Sequence, residues 1–381
     1  MGHKKAAPAP AVKSKPDVPA RNYGIDLLRL VAMFYIVALH ILLQGGAMYA
    51  TPKGSMTYYT AHYLEILIYG GANIFALISG YVGVSSTEKP VKFSSYLQLW
   101  FEVVFYGIAA MIFYCLDGHA AALTATDVYS VFFPVFSGSY WYFSAYTGLF
   151  LFLPVLNAGI RGASKESLRN VFIAMFIIFA FLGQLFKWIA IGSGYSMLWL
   201  VILYILGAIM KKCEIGKKLR MIPAVTVIAL LSLIGCIWKL SEAETAFGPI
   251  TIENGFLTRY TSIIIVLIAI LNVVIFANAK LPGWLVHVTK FAAPASFAVY
   301  LINCQPLIWV NYFKSAFSGL GSLNPFLFLV CVIGCALLFV TGAILIDRIR
   351  MVLFDLLHVK QFCAWIEVKC RAGLAAIGKV L

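Results

Sequence analysis

Long apolar runs separated by short polar segments dominate the chain. A run of about 20 apolar residues is long enough to cross the hydrocarbon core of a bilayer as an α-helix. Such runs occur at residues 24–44, 63–84, 94–116, 136–157, 169–188, 195–211, 221–240, 258–279, 291–313 and 325–346. The pattern predicts an all-α, polytopic membrane protein with about ten transmembrane helices.

The two ends of the chain follow different patterns. Residues 1–22 are rich in Ala, Pro and Lys and show no apolar periodicity, which predicts a disordered basic tail. Residues 347–381 alternate apolar and basic positions, which is typical of an amphipathic helix on a membrane surface. The sequence therefore predicts a tail (1–22), a ten-helix membrane domain (23–346) and a basic amphipathic C-terminal segment (347–381).

Composition and charge support this division. The chain is 62% hydrophobic and only 12% charged, about half the charged fraction of an average soluble domain. Most of its 29 Lys and Arg residues fall in segments that lie on the N-terminal side of the membrane if there are ten spans. The positive-inside rule then places both termini in the cytoplasm. Attraction to anionic lipid headgroups accounts for the net charge of +14, so we expect lipid contacts and no nucleic-acid partner.

The first predicted helix carries three ionisable residues on one face. Asp26 lies one turn from Arg29, and His40 follows Arg29 by three helical turns, about 16 Å along the axis. Ionisable groups inside a span are costly and usually face the interior of the helix bundle. A salt bridge at the membrane boundary is the simpler interpretation of Asp26 and Arg29, whereas His40 favours a functional role. A histidine suits acyl transfer because it can take a hydroxyl proton and return it to a leaving group.

Several motifs, in order along residues 22–358, resemble those of the acyltransferase 3 family of integral-membrane acyltransferases. The motifs are Asp26-x-x-Arg29 with His40, Phe75–Tyr81, Trp141–Tyr146, Leu153–Asn157, Ser296–Asn303, Pro306–Ile308 and Ile346–Arg350. No single one of these motifs is specific, but their order and coverage make the resemblance fairly specific.

The resemblance implies a membrane acyltransferase of the bacterial plasma membrane. Its implied donor is cytosolic acyl-CoA, a co-substrate, with no tightly bound cofactor, and its implied acceptor is a hydroxyl of a cell-envelope carbohydrate or another small molecule. Carried over to this sequence, it makes His40 the catalytic base or a transient acyl carrier. Arg29 becomes a contact for the anionic donor or a structural partner of Asp26, and Ser79 and Tyr81 line the donor path.

Two departures from the family pattern leave an alternative open. Tyr146 and Thr147 stand where a polysaccharide-modifying branch has an acidic residue, and Asn303 stands where many relatives have His. Another branch of the superfamily is fused to amino-acid racemases and resembles a serine transporter. The alternative function is therefore transport of a small amino acid such as serine, with Asp26, Arg29 and His40 binding the cargo or protons.

Other polar and aromatic residues are further candidates for the site. Glu102 lies near mid-membrane, as a partner of His40 or Arg29 or as a protonated packing residue. Trp141 and Tyr142 can stack on a sugar face or serve as ordinary interfacial aromatics, and Tyr146 continues that stripe. Asn303 either contacts substrate or satisfies backbone groups freed at Pro306. No metal-ligand cluster is evident, so we expect no metal site.

Overall fold

The computed structural model describes residues 21–84, 91–185, 191–242, 245–247, 250–252 and 254–377. All but the last two residues of the predicted tail lie outside these ranges. The first eight helices are α1 (Tyr23–Leu42), α2 (Met56–Ile68), α3 (Gly71–Gly83), α4 (Phe93–Tyr114), α5 (Ala125–Phe132), α6 (Pro134–Ser137), α7 (Trp141–Gly162) and α8 (Lys165–Met175). The others are α9 (Gly183–Leu185), α10 (Met197–Lys212), α11 (Met221–Leu240), α12 (Ile263–Asn278), α13 (Gly283–Ala292), α14 (Ser296–Asn303), α15 (Pro306–Ile308), α16 (Pro325–Leu356) and α17 (Val359–Ile377).

Shorter elements complete the described chain. Single π-helical turns extend α4 (Cys115–His119), α8 (Phe176–Leu182) and α15 (Trp309–Phe313). The strands β1 (Thr245–Phe247) and β2 (Ile250–Ile252) pair antiparallel between α11 and α12. This small hairpin does not alter the helical class.

Eight helical segments in the described ranges are long and apolar enough to cross a membrane. They are Tyr23–Leu42, Met56–Gly83, Phe93–Ala122, Trp141–Gly162, Lys165–Leu185, Met221–Leu240, Gly283–Asn303 and Pro325–Leu356. The other two predicted spans correspond to α10 and α12, which have 16 residues each. The predicted class, an all-α polytopic membrane protein, is confirmed; the count of ten spans and the side of the termini stay predictions.

Helix α1 is the centre of the bundle. It begins where the Asn22 side chain accepts a hydrogen bond from the backbone N–H of Ile25 (3.2 Å), a typical N-terminal cap. It then packs against α2, α3, α12, α13, α14 and α16. Residues on α1 are therefore surrounded by protein on most sides, which suits a reaction centre better than a lipid-facing helix.

The closest helix packing joins α3 and α10. A Cβ atom added at Gly80 would lie 1.9 Å from the carbonyl oxygen of Tyr204, and one added at Gly207 would lie 2.0 Å from that of Leu77. Each helix thus rests on the other at a position without a side chain. Small residues at such crossings let helix backbones approach closely within a membrane.

The chain is broken between α4 and α7, where the sequence contains Pro134 and Gly138. Helix α5 ends at Phe132, Pro134 opens the short α6, and Gly138 turns the chain with a φ of 68°, a conformation that favours glycine. Ser144 then donates a hydrogen bond from Oγ to the carbonyl of Val135 (3.3 Å), which holds α6 against α7.

The C-terminal part of the chain contains two helices. Helix α16 continues ten residues past position 346 to Leu356, and α17 follows after a short turn. The Glu367 carboxylate on α17 accepts hydrogen bonds from the backbone N–H groups of Phe93 (3.3 Å) and Ser94 (3.1 Å) at the start of α4. This contact fastens α17 to the end of the bundle.

Candidate active site

One face of α1 supplies the first wall of the site. Met33, Ile36 and His40 line a common cavity, and Arg29 lies one turn before Met33 on the same face. Arg29 and His40 therefore share one face of α1, as the helical spacing predicted, and His40 lies on the cavity wall. Arg29 is near one end of that wall and His40 is near the other.

His40 is held by residues from the segment that follows α14. Its Nδ1 atom forms a short hydrogen bond with Oδ1 of Asn303. The ring stands edge-on to Trp309, with the ring centroids 4.6 Å apart, and Nδ1 lies 3.9 Å from Sγ of Cys304. With Oδ1 as acceptor, Nδ1 carries the proton and Nε2 is left as the basic nitrogen.

A break in the helix positions Asn303. Helix α14 ends at Asn303, and Pro306 opens the next helical turn, so Cys304 and Gln305 connect the two. The Gln305 side chain accepts a hydrogen bond from the backbone N–H of Ile308 (3.0 Å), which caps that turn. Asn303 is fully buried, and its Nδ2 atom has no hydrogen-bond partner among the described residues. A buried donor of this kind is costly unless a ligand accepts from it.

The cavity beside His40 is small and mostly aromatic. Its volume is about 20 Å³, which is about the space of one water molecule. Its walls come from α1, α3, α7, α14 and the loop before α12. The lining residues are Met33, Ile36, His40, Ala72, Phe75, Trp141, Tyr142, Tyr260, Phe297 and Tyr300. An acyl thioester therefore enters only if some of these side chains move.

A cluster of charges stands at the other end of the α1 face. Asp26 accepts from Arg29 (3.0 Å) and from Arg21 (2.5 Å), so one buried carboxylate serves two guanidinium groups. The hydrogen bond and charge of Asp26 raise the pKa of the Arg21 guanidinium. Arg21 and Lys290 both lie over the ring of Tyr23, at 5.8 and 5.1 Å from its centroid. The cluster keeps a net positive charge, and the Arg29 side chain is 28% exposed.

The candidate residues of α7 lie between these two ends. Trp141 and Tyr142 line the cavity with His40. Tyr146 lies one helical turn beyond Tyr142 and is within electrostatic range of Arg29. The structure thus brings His40, Trp141 and Tyr142 to one cavity, with Asn303 bonded to His40 beside it. Arg29 and Tyr146 each lie one helical turn from a residue that lines this cavity.

Glu102 belongs to a different cluster. Its carboxylate lies 3.5 Å from Arg350, which also donates two hydrogen bonds to Asp347 (2.6 and 3.0 Å). Tyr106 on α4 donates to the same Asp347 (2.8 Å). Glu102 is therefore paired with Arg350 and not with His40 or Arg29, and the cluster joins α4 to α16.

Ser79 and Tyr81 are not among the residues that line the His40 cavity. Ser79 donates from Oγ to the carbonyl of Phe75 on its own helix (3.0 Å). Tyr81 lines a separate cavity of about 230 Å³, where the Lys211 ammonium stands 5.0 Å from its ring centroid. That cavity also contains Glu214, whose pKa is lowered by the hydrogen bond from Lys217.

Several residues at the site were not among the sequence candidates. Trp309 and Cys304 contact His40, and Tyr260 reaches the cavity from the loop before α12. Asn73 fixes that loop by donating to the carbonyl of Tyr260 (2.6 Å). Tyr300 precedes Asn303 by three residues, so the helical period placed both on one face of α14. No group of three or more metal-ligating side chains occurs within the described ranges.

Fold and site together define a helical integral-membrane protein with a histidine-centred cavity in its bundle. A family model described as "Acyltransferase domain" (Acyl_transf_3) matches residues 22–345, and the chain belongs to that family. It is therefore a membrane acyltransferase, and the predicted family is confirmed. No curated protein and no solved structure matches the chain.

Proposed function

We propose that the protein moves an acyl group, with acetyl as the first expectation, from cytosolic acyl-CoA to a hydroxyl of a cell-envelope carbohydrate or a similar small acceptor. The observation that carries this proposal is the pairing of His40 with Asn303 on the wall of a protein-lined cavity. A plasma-membrane location on the bacterial pattern follows from the family resemblance and belongs to the same proposal.

The charged end of the α1 face suits the donor. Acyl-CoA carries several phosphates, and guanidinium groups bind phosphate through several fixed N–H donors. Arg29 donates a hydrogen bond to Asp26 through Nη1, and its other nitrogens can donate to a phosphate. Arg21 and Lys290 add positive charge nearby. The donor binds with its phosphates near this cluster, and its thioester extends along the α1 face toward His40.

His40 then acts as the base. Its Nε2 atom takes the proton of the acceptor hydroxyl, and the hydroxyl oxygen attacks the thioester carbonyl. The C–S bond breaks, the acyl ester forms, and the CoA thiolate takes the proton back from His40. In a second route, His40 first accepts the acyl group itself and then passes it on.

Release of CoA from acetyl-CoA tests the proposal. Purified protein in detergent should release CoA slowly, and His40→Ala should lower that rate by about 10²-fold or more, as expected when a general base is lost. His287→Ala is a matched control, because His287 is exposed and its hydrogen bond among the described residues is to Gly283 of its own helix. Equal rates for wild type and His40→Ala would refute the proposal. Uptake of labelled serine into proteoliposomes, without CoA release, would support the transport alternative.

A further inference from the structure

A second, larger cavity lies beside the His40 centre. It has a volume of about 220 Å³ and opens between α4, the broken segment before α7 and the turn that starts at Pro306. Its polar lining comes from Asp127, Ser130, Ser139 and Gln305. None of the candidate residues from the sequence lies in this cavity.

The two cavities share a thin wall. Tyr140 lines the second cavity, and the next residue, Trp141, lines the first. Tyr140 packs against Tyr300 of the first cavity, with ring centroids 5.8 Å apart, and donates a hydrogen bond to the carbonyl of Leu301 (3.1 Å). Two aromatic rings therefore stand between the cavities.

The break after α14 places residues beside both cavities. Asn303 holds His40 on one side, and Gln305, two residues later, lines the second cavity. A molecule in the second cavity is thus separated from the catalytic histidine by the short segment that orients it. Movement of Tyr140 or Tyr300 would join the two spaces.

We propose that this second cavity is the acceptor subsite and that it takes one small, uncharged, polyhydroxylated group, such as a single sugar ring or a polyol. The proposal rests on the acyl transfer proposed above. The volume is below the range of about 300–1,000 Å³ that is typical of sites for drug-sized ligands, which favours one ring over an extended chain.

The polar groups of the cavity favour a neutral molecule with several hydroxyls. The Ser130 hydroxyl has no hydrogen-bond partner among the described residues, and Gln305 uses only its oxygen in capping Ile308. Hydroxyl and amide groups can both donate to and accept from a sugar. The carboxylate of Asp127, which also caps the start of α5, disfavours an anionic acceptor by like-charge repulsion.

The partition of radiolabelled acetyl-CoA between two products tests the subsite. Transfer to water yields acetate, and transfer to an acceptor yields an ester. The acceptor probes are glucose and glycerol as neutral polyols and glucuronate as their anionic counterpart. Wild-type protein should form ester with a neutral probe and much less with glucuronate. Ser130→Trp, which fills the cavity, should lower the ratio of ester to acetate formed by about tenfold or more.

Tyr129→Trp is the matched control, because Tyr129 precedes Ser130 on α5 and is half exposed outside the cavity. If the protein with Ser130→Trp also loses acetate formation, a second variant is used. In this variant, Ser130→Cys, the cavity is filled by alkylating the new cysteine after the protein has been purified. Wild-type protein alkylated in parallel accounts for the native cysteines. In that case the alkylated variant should show the same fall in the ratio of ester to acetate, relative to alkylated wild type.

Three results would overturn the subsite. The first is unchanged ester formation when the cavity is filled, and the second is a preference for glucuronate over the neutral probes. The third is formation of acetate with no ester from either neutral probe. Loss of neither product in His40→Ala would instead refute the acyl-transfer chemistry, so the two failures are distinguishable.

Discussion

His40 depends on Asn303 for its orientation. The amide of Asn303 fixes which imidazole nitrogen carries the proton, much as a carboxylate orients the histidine of other acyl-transfer sites. Because Asn303 is neutral, it orients the ring without adding a negative charge to a buried site. The pair thus avoids the desolvation cost of a buried carboxylate.

Replacing Asn303 should lower turnover more than donor binding. In Asn303→Ala the imidazole loses its hydrogen bond, so we expect kcat for CoA release to fall by about 10- to 100-fold with a small change in KM for acetyl-CoA. Steady-state kinetics over a range of pH would check this, since a misoriented base also changes the pH profile. Asn311→Ala is the control, because Asn311 is exposed and bonds only to Leu307 within the same turn. A rise in KM at constant kcat would contradict a positioning role.

At the residue scale, the sequence predicts which face of a helix a residue occupies more readily than which residue of another helix it contacts. The helical period placed Arg29 and His40 on one face of α1. The structure places Trp141 and Tyr142 on the cavity that His40 lines, and it bonds Asn303 to His40. Glu102 shows where this reasoning ends. Its partner Arg350 is about 250 positions away in sequence, and helical period alone does not tell which helices are neighbours.

At the element scale, α3 and α10 depend on two glycines. Gly80 and Gly207 each sit against a backbone carbonyl of the other helix. A carbonyl cannot rotate away as a flexible side chain can, so an added methyl group must push the helices apart. These helices carry Ala72, Phe75 and Trp199 near the cavity and its supporting loop, so their spacing bears on the site.

Gly80→Ala should destabilise the bundle. Overpacking at such a contact costs about 1–3 kcal/mol or more in the free energy of unfolding. Thermal unfolding in detergent, followed by loss of monomeric protein, would measure the change. Gly342→Ala on α16 is the matched control, because a Cβ there has no atom within 4 Å and should leave stability unchanged or higher. Equal melting temperatures for the two variants would contradict the close contact.

Hydropathy predicted the helices better than their breaks and ends. The break between α14 and α15 falls inside one apolar run, 291–313, because apolar residues stand on both sides of it. Helix α16 continues past the predicted end at 346 because polar residues there do not mark the end of the helix. Asp347 and Arg350 look like a polar boundary in the sequence, but they pair with each other inside the bundle, and Arg350 also pairs with Glu102, so the helix continues.

At the scale of the whole molecule, a carboxylate on α17 is one of the contacts that hold this helix to the bundle. Glu367 binds the free N–H groups at the start of α4, where the helix dipole favours a negative charge. It also accepts two hydrogen bonds from Arg371 (3.0 and 2.7 Å). Hydrogen bonds from Ser94, and then from Arg371, lower the pKa of Glu367 to about 2.

Acid should weaken the attachment of α17 at Glu367. A detached Glu367 would have a pKa of about 4.3, so docking favours the charged form. Its stabilising effect is complete above about pH 5 and is lost as the pH falls from about 4.3 toward about 2. Fluorescence of Trp365 on α17, taken as the difference from Trp365→Phe, would follow the release. Glu367→Gln should show the released signal already at pH 7. The same titration in Glu367→Gln and in wild type would contradict the role of this carboxylate.

The small size of the cavity beside His40 has a consequence for the cell. With about 20 Å³ of room, the resting protein admits neither a thioester nor a stream of solvent to its base. Under the proposed function, the binding of the donor supplies the free energy that moves the aromatic side chains apart. Under the proposed function, a protein without bound acceptor and donor would therefore hydrolyse little acyl-CoA.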